Sequence, residues 1–140
     1  MIFTVILLLV SFDLSSSELS LIKIHNELRE NKRVASLEVS QQLMIAARHH
    51  AAWMAINNKM SHYEGKIDLS YRVNLVGYSW SSIGENIAFG QETSEEVMKD
   101  WMNSPGHRSN ILSNSYTEIG VGVVKASNGQ KYWCTVFGNK

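Results

Sequence analysis

Ser104-Pro105-Gly106-His107-Arg108-Ser109-Asn110-Ile111-Leu112 is the stretch on which the reading of this chain turns. It holds the chain's one proline, next to a glycine and a histidine. Proline has no N–H to donate and disfavours helix in the residue before it, so the segment ends one helix or opens another. A histidine at such a junction is either presented outward at fixed geometry or serves as a polar cap, and the segment alone leaves both open. About twenty residues upstream, Gly84-Glu85-Asn86-Ile87 places a carboxylate at the start of an apolar run. Charged side chains are rarely buried unless paired, so Glu85 sits at a strand rim or is paired in a cleft. Ser61-His62 lies further back, just beyond a long helical pattern. Together His62, Glu85 and His107 predict a pocket of two imidazoles and a carboxylate. That donor set suits a divalent ion with one position open to water, or the movement of protons. The three are far apart in sequence and form no local HExxH-type pattern.

The flanking elements follow from periodicity. Leu21, Ile24 and Leu28 make one apolar stripe and predict a helix over 17–31, with Ser15-x-x-Glu18 as a capping box. His25 and Arg29 share a face of it, His25 as a packing residue. Leu43, Ala46, Ala47, His50 and Met54 predict the strongest helix, over 40–57, rich in alanine and capped by Ser36 or Ser40. His50 falls in its apolar stripe and reads as structural, with His49 toward the edge. A short helix over 68–76 is capped by Asp68, carries Leu69, Arg72, Val73 and Val76 at helical spacing, and is closed by Gly77. A strand is expected over 83–89. Thr93-x-x-Glu96 caps a helix over 93–103. Residues 118–126 alternate, with Ile119, Val121 and Val123 on one face and Gly120 and Gly122 on the other, where they admit a close neighbour. Asn128-Gly129 signals a type I′ hairpin returning over 130–138. This order of helices, a strand, a helix and a terminal hairpin predicts an α+β layer protein with a small, mostly antiparallel sheet.

With 140 residues and 44% apolar content the chain is sized for one domain with an adequate core. Thirteen basic and thirteen acidic side chains cancel, which argues against nucleic acid as a partner and gives no pull toward an anionic membrane. Ile2 to Phe12 is almost wholly apolar but shorter than the roughly 20 residues a bilayer requires, so no transmembrane segment is expected. It fits the core of a secretory signal peptide over residues 1–17, with Ser15 and Ser17 spaced for cleavage before Glu18, although no Lys or Arg precedes it. Residues 18–140 are then a single secreted, extracellular domain. The one cysteine, Cys134, permits no internal disulfide and reads as a small core residue on the last strand.

The chain resembles the CAP superfamily, also called the SCP or cysteine-rich secretory, antigen 5 and pathogenesis-related-1 family, in its short bacterial-type form. The matching motifs are His25-Asn26-x-x-Arg29, Ser61-His62, Gly84-Glu85-Asn86-Ile87, Trp101 to Leu112, and the hairpin from Ile119-Gly120-Val121-Gly122 to Phe137-Gly138. The resemblance implies an α-β-α sandwich with a central antiparallel sheet between helical layers. It also implies a cleft in which His62, Glu85 and His107 gather and which in relatives holds Zn²⁺ or another divalent ion. The family's cysteines are absent, and Met102-Asn103-Ser104 carries none of the acid that eukaryotic relatives place after the matching tryptophan.

Two functions fit this cleft. One is a secreted module, expected as a monomer, that binds a small molecule, a lipid or a cell-wall or extracellular component, requires no cofactor, and uses His62, Glu85, Ser104 and His107. The other is a divalent-metal-assisted hydrolase of peptides or esters. In it His62 and His107 ligate the ion, zinc by preference, and Glu85 is a third ligand or the general base. Ser104 as a nucleophile with His107 as base is a variant of the second. A complete catalytic set is not evident, which favours the module.

Overall fold

The computed structural model describes residues 13–140; the expected signal-peptide core, Ile2 to Phe12, lies outside them. Helix α1 (Ser16–Asn31) opens on the expected capping box, with the Ser15 hydroxyl accepting from the Glu18 N–H and the Glu18 side chain accepting from the Ser15 N–H. Strand β1 (Glu38–Val39) leads to α2 (Gln41–Asn57), where Ser40 is the cap. Then come α3 (Leu69–Leu75), capped by Asp68, and β2 (Ser82–Phe89). Helix α4 (Ser94–Met102) is capped by Thr93; the Glu96 carboxylate accepts from the Glu92 N–H, one residue before the expected reciprocal partner. Pro105 opens a separate helix, α5 (Pro105–Leu112). Strands β3 (Glu118–Lys125) and β4 (Lys131–Asn139) complete the chain.

The sheet runs β1-β3-β4-β2, with β2, β4 and β3 antiparallel and the two-residue β1 parallel to β3. Alternation along β4 builds the two layers. Trp133 and Phe137 pack with Leu21, Val97, Trp101 and Ile111 of α1, α4 and α5. Tyr132, Cys134 and Val136 face the other way, onto Leu43, Ala47, Met54 and Val73 of α2 and α3. This is the α-β-α sandwich with a small central sheet that the sequence predicts.

Gly120 sets the distance between α2 and the sheet. A Cβ there would fall 2.0 Å from the Leu43 carbonyl carbon, so only glycine lets the two backbones touch. The hairpin differs from expectation. Gly129 has φ +86°, but Asn128 is not in the positive-φ region, and the Gly129 N–H donates to the Ala126 carbonyl. Ala126 and Gln130 pair, which leaves a three-residue loop ending on a left-handed glycine in place of the type I′ turn. Arg29 is buried and donates to the carbonyls of Ala35, Ile111, Ser113 and Tyr116, tying α1 to the end of α5.

Candidate functional site

Strand β2 lies at the edge of the sheet, and its alternation sends neighbouring side chains to opposite layers. Glu85 turns toward α2 and α3, and Asn86 toward α5. Glu85 is 7% exposed. Its two oxygens accept from both terminal nitrogens of Arg72, Nη1 to Oε2 at 2.8 Å and Nη2 to Oε1 at 3.0 Å. Oε1 also accepts from His62 Nδ1 at 2.8 Å. Arg72 Nη2 donates further to the His62 carbonyl, so a single guanidinium positions both the carboxylate and the loop that carries the imidazole. Cys134 lies beneath, with Sγ 3.5 Å from Glu85 Oε2.

Burial alone would raise the Glu85 pKa; the hydrogen bond from His62 and the Arg72 guanidinium outweigh it and hold the carboxyl below its usual range. Burial and then the Glu85 charge push the Cys134 thiol well up, which leaves it the packed core residue the sequence predicts. A second side-chain contact supports the first. His50, fully buried, places Nδ1 2.9 Å from Glu64 Oε1 and Nε2 2.7 Å from the Ser61 carbonyl. It thereby anchors both ends of the segment that bears His62. His50 is structural, as its place in the apolar stripe of α2 implies.

His62 itself is half exposed. A carboxylate accepts only, so Nδ1 carries a proton toward Glu85, and the ring's other nitrogen, Nε2, is left to the open cleft. That cleft measures about 610 Å³ and is lined by His62, Tyr63, Asp68, Trp80, Ile83 and Glu85, among others. His107 and Ser104 lie on the α5 side of β2 and line a different groove, of about 280 Å³, with Met60, Phe89, Gln91 and Trp101. His107 is held by its carbonyl, which accepts from Asn86 Nδ2 at 3.1 Å, while its Nδ1 is buried without a partner. Burial, and then the charge of nearby His62, lower the His107 pKa. The two imidazoles thus flank the edge of β2, within electrostatic reach of one another, and Glu85 contacts one of them. Ser104 makes no side-chain capping bond.

The donor set does not fit the three-ligand metal site. Both Glu85 oxygens are already engaged, and among the described residues no group of three or more His, Cys, Asp or Glu side chains is placed to hold a metal ion. Glu85 instead orients His62. The sequence reading missed Arg72 as its partner, yet the signal was present: an arginine inside the apolar stripe of Leu69, Val73 and Val76 requires a buried counter-charge. Glu64 carried no such signal.

A three-layer sandwich with an imidazole held by a buried carboxylate at the edge of its sheet defines the class of this domain. The chain belongs to the cysteine-rich secretory protein family, CAP, whose sequence model matches residues 22–137. It is 36% identical over 118 residues to the uncharacterized protein YkwD of Bacillus subtilis, an alignment covering 81% of this chain and 45% of that protein. The chain thus spans less than half the length of the curated relatives first matched. An extracellular protein containing an SCP domain from Bacillus anthracis superposes with a TM-score of 0.83 at 28% identity, covering 89% of this chain and 40% of that one. An outer surface protein of Borrelia burgdorferi shares the fold, with a TM-score of 0.86 at 23% identity over 91% of this chain and 96% of that one. Among the described residues no helix is long and apolar enough to cross a membrane.

Proposed function

We propose that the protein is an extracellular binding module whose ligand seats in the cleft beside His62. The observation that carries this reading is the saturation of Glu85. A carboxylate gripped at both oxygens by a buried guanidinium and an imidazole is poorly placed to activate water or to ligate a metal. It is well placed to fix one ring orientation. The site therefore offers a preformed, rigid recognition surface, the economical design for binding. Secretion is supported by the likeness to the extracellular Bacillus anthracis protein and by the apolar run at residues 2–12. Of the expected ligand set, a divalent ion would be left with the rings of His62 and His107, since both Glu85 oxygens are engaged.

Two measurements separate binding from hydrolysis. Protein purified without chelator is assayed for zinc and for cleavage of casein and p-nitrophenyl acetate, with and without added Zn²⁺. In parallel it is pelleted with insoluble cell-wall material and with neutral lipid vesicles. The proposal expects cosedimentation with one of these surfaces that is lost when Ser70→Trp plugs the cleft, and no cleavage above that of His62→Ala. Zinc-dependent turnover abolished by His62→Ala and by Glu85→Gln would overturn it.

A further inference from the structure

The cleft beside His62 combines exposed aromatic surface with fixed polar groups. Tyr63 and Trp80, large aromatic side chains that are 56% and 40% exposed, both line it. Trp80 is nonetheless fixed, because its indole N–H donates to Asn74 Oδ1 at 2.9 Å. The same lining holds polar groups whose orientation is set in advance. Asp68 accepts at Oδ1 from the Tyr71 N–H and from the Ser70 hydroxyl, which holds the carboxylate still. Glu85 holds the His62 ring at Nδ1, which leaves the ring's other nitrogen for a ligand in the cleft. Leu69 and Ile83 add small apolar patches.

The ligand that matches such a lining presents rows of O–H donors and, on its other faces, flat arrays of C–H. An acyl chain requires dry, enclosed walls, and this cleft is open-sided. An anion would meet Asp68 with no lysine or arginine in the lining opposite, and Arg72 behind it is committed to Glu85. We infer that the cleft binds a neutral saccharide, its pyranose rings stacked on Trp80 and Tyr63 and its hydroxyls hydrogen-bonded to Asp68 and to the outer nitrogen of the His62 ring. At about 610 Å³ the cleft has the volume of a small-molecule site. This inference rests on the binding-module reading and names the ligand class of that same cleft.

The test is a ¹H–¹⁵N titration of the whole chain that follows the indole N–H signals. One arm uses N,N′,N″-triacetylchitotriose, one maltotriose, and one dihexanoylphosphatidylcholine below its micelle concentration. At least one saccharide is expected to move the Trp80 indole signal saturably while the buried Trp101 and Trp133 stay in place. Tyr63→Ala, read at the Trp80 indole, and Trp80→Ala, read at the backbone amides of Leu69 and Ser70, should each weaken the apparent Kd about tenfold, the scale of a lost aromatic contact, with Tm unchanged in Tyr63→Ala. Cleft signals moved by the phospholipid and by neither saccharide would overturn the saccharide inference and leave the binding module standing. Silence of the Trp80 signal to all three probes would also overturn it. Ester or casein cleavage lost in His62→Ala would overturn both readings.

Discussion

Replacing Arg72 with methionine should be among the most damaging single changes to this domain, and the damage should depend on pH. The Arg72 and Glu85 side chains are 4% and 2% exposed, and the guanidinium donates twice to the carboxylate and once to the His62 carbonyl. Deleting one partner of a buried ion pair costs about 3–5 kcal/mol, because the remaining charge stays desolvated. For a domain of this length about 4 °C of Tm is lost per kcal/mol, so Arg72→Met should melt roughly 12–20 °C lower at neutral pH. In the parent protein the Glu85 pKa is held down, so the pair's contribution is complete above the ordinary carboxylate value of about 4.3 and fades as pH falls through the lower folded value. In Arg72→Met the guanidinium's share of the opposition to burial is lost while the hydrogen bond from His62 remains, so the Glu85 carboxyl is held down less and the folded protein takes up a proton there at higher pH than the parent does. The gap between the two proteins should therefore narrow as the pH is lowered toward about 4. Arg72→Met/Glu85→Met, which removes both charges, should recover at least half of the loss. Melting followed by circular dichroism across this pH range checks all three outcomes. A loss below about 1 kcal/mol, or a gap that does not change with pH, refutes the idea of a buried, charged, mutually dependent pair.

Other outcomes follow from particular contacts. Gly120→Ala should destabilise by about 3 kcal/mol in urea unfolding, since the new methyl meets the Leu43 backbone with no flexible side chain to yield. His25 is buried and its pKa is lowered to about 4, by burial first, from the usual 6.5. It stays neutral when folded, so it contributes stability above about pH 6.5 that is lost as pH falls toward 4, about 3 kcal/mol in all. His25→Met should flatten that part of the pH–stability profile; a profile of unchanged slope would show that the acid response comes from elsewhere. Cys134 should resist iodoacetamide in the native protein and react once urea is added, and rapid native labelling read by mass spectrometry would contradict its burial.

The layers of the fold were legible because helices and strands of this chain bury continuous stripes, and period alone identifies them. Gly120 and Gly122 were readable as places where another backbone approaches, although not that α2 was the neighbour. β1 was not readable, since two exposed residues leave no periodic trace. The site divides in the same way. His62 and Glu85 announced themselves by residue type and local context, and the structure joins them. Their bond to Arg72 is tertiary, formed across α3 and β2, and only the misplaced charge in an apolar stripe hinted at it. His107 and Ser104 line a groove beside α5 and His62 lines the neighbouring cleft, with the two rings near enough to interact, and the direction of a strand's side chains cannot be counted from motif spacing. The capping box at Ser15 places the expected cleavage point, before Glu18, within the first turn of α1.

The claim that Glu85 serves to orient His62 is tested most directly by the proton on the His62 ring. A long-range ¹H–¹⁵N spectrum at about pH 8.5, some two units above the ordinary histidine value, distinguishes the two neutral tautomers. A proton on Nδ1 and a bare Nε2 is the result expected of a ring held by the carboxylate. A proton on Nε2, with Nδ1 bare, would mean that the carboxylate does not hold the ring, and the preformed recognition surface would go with it.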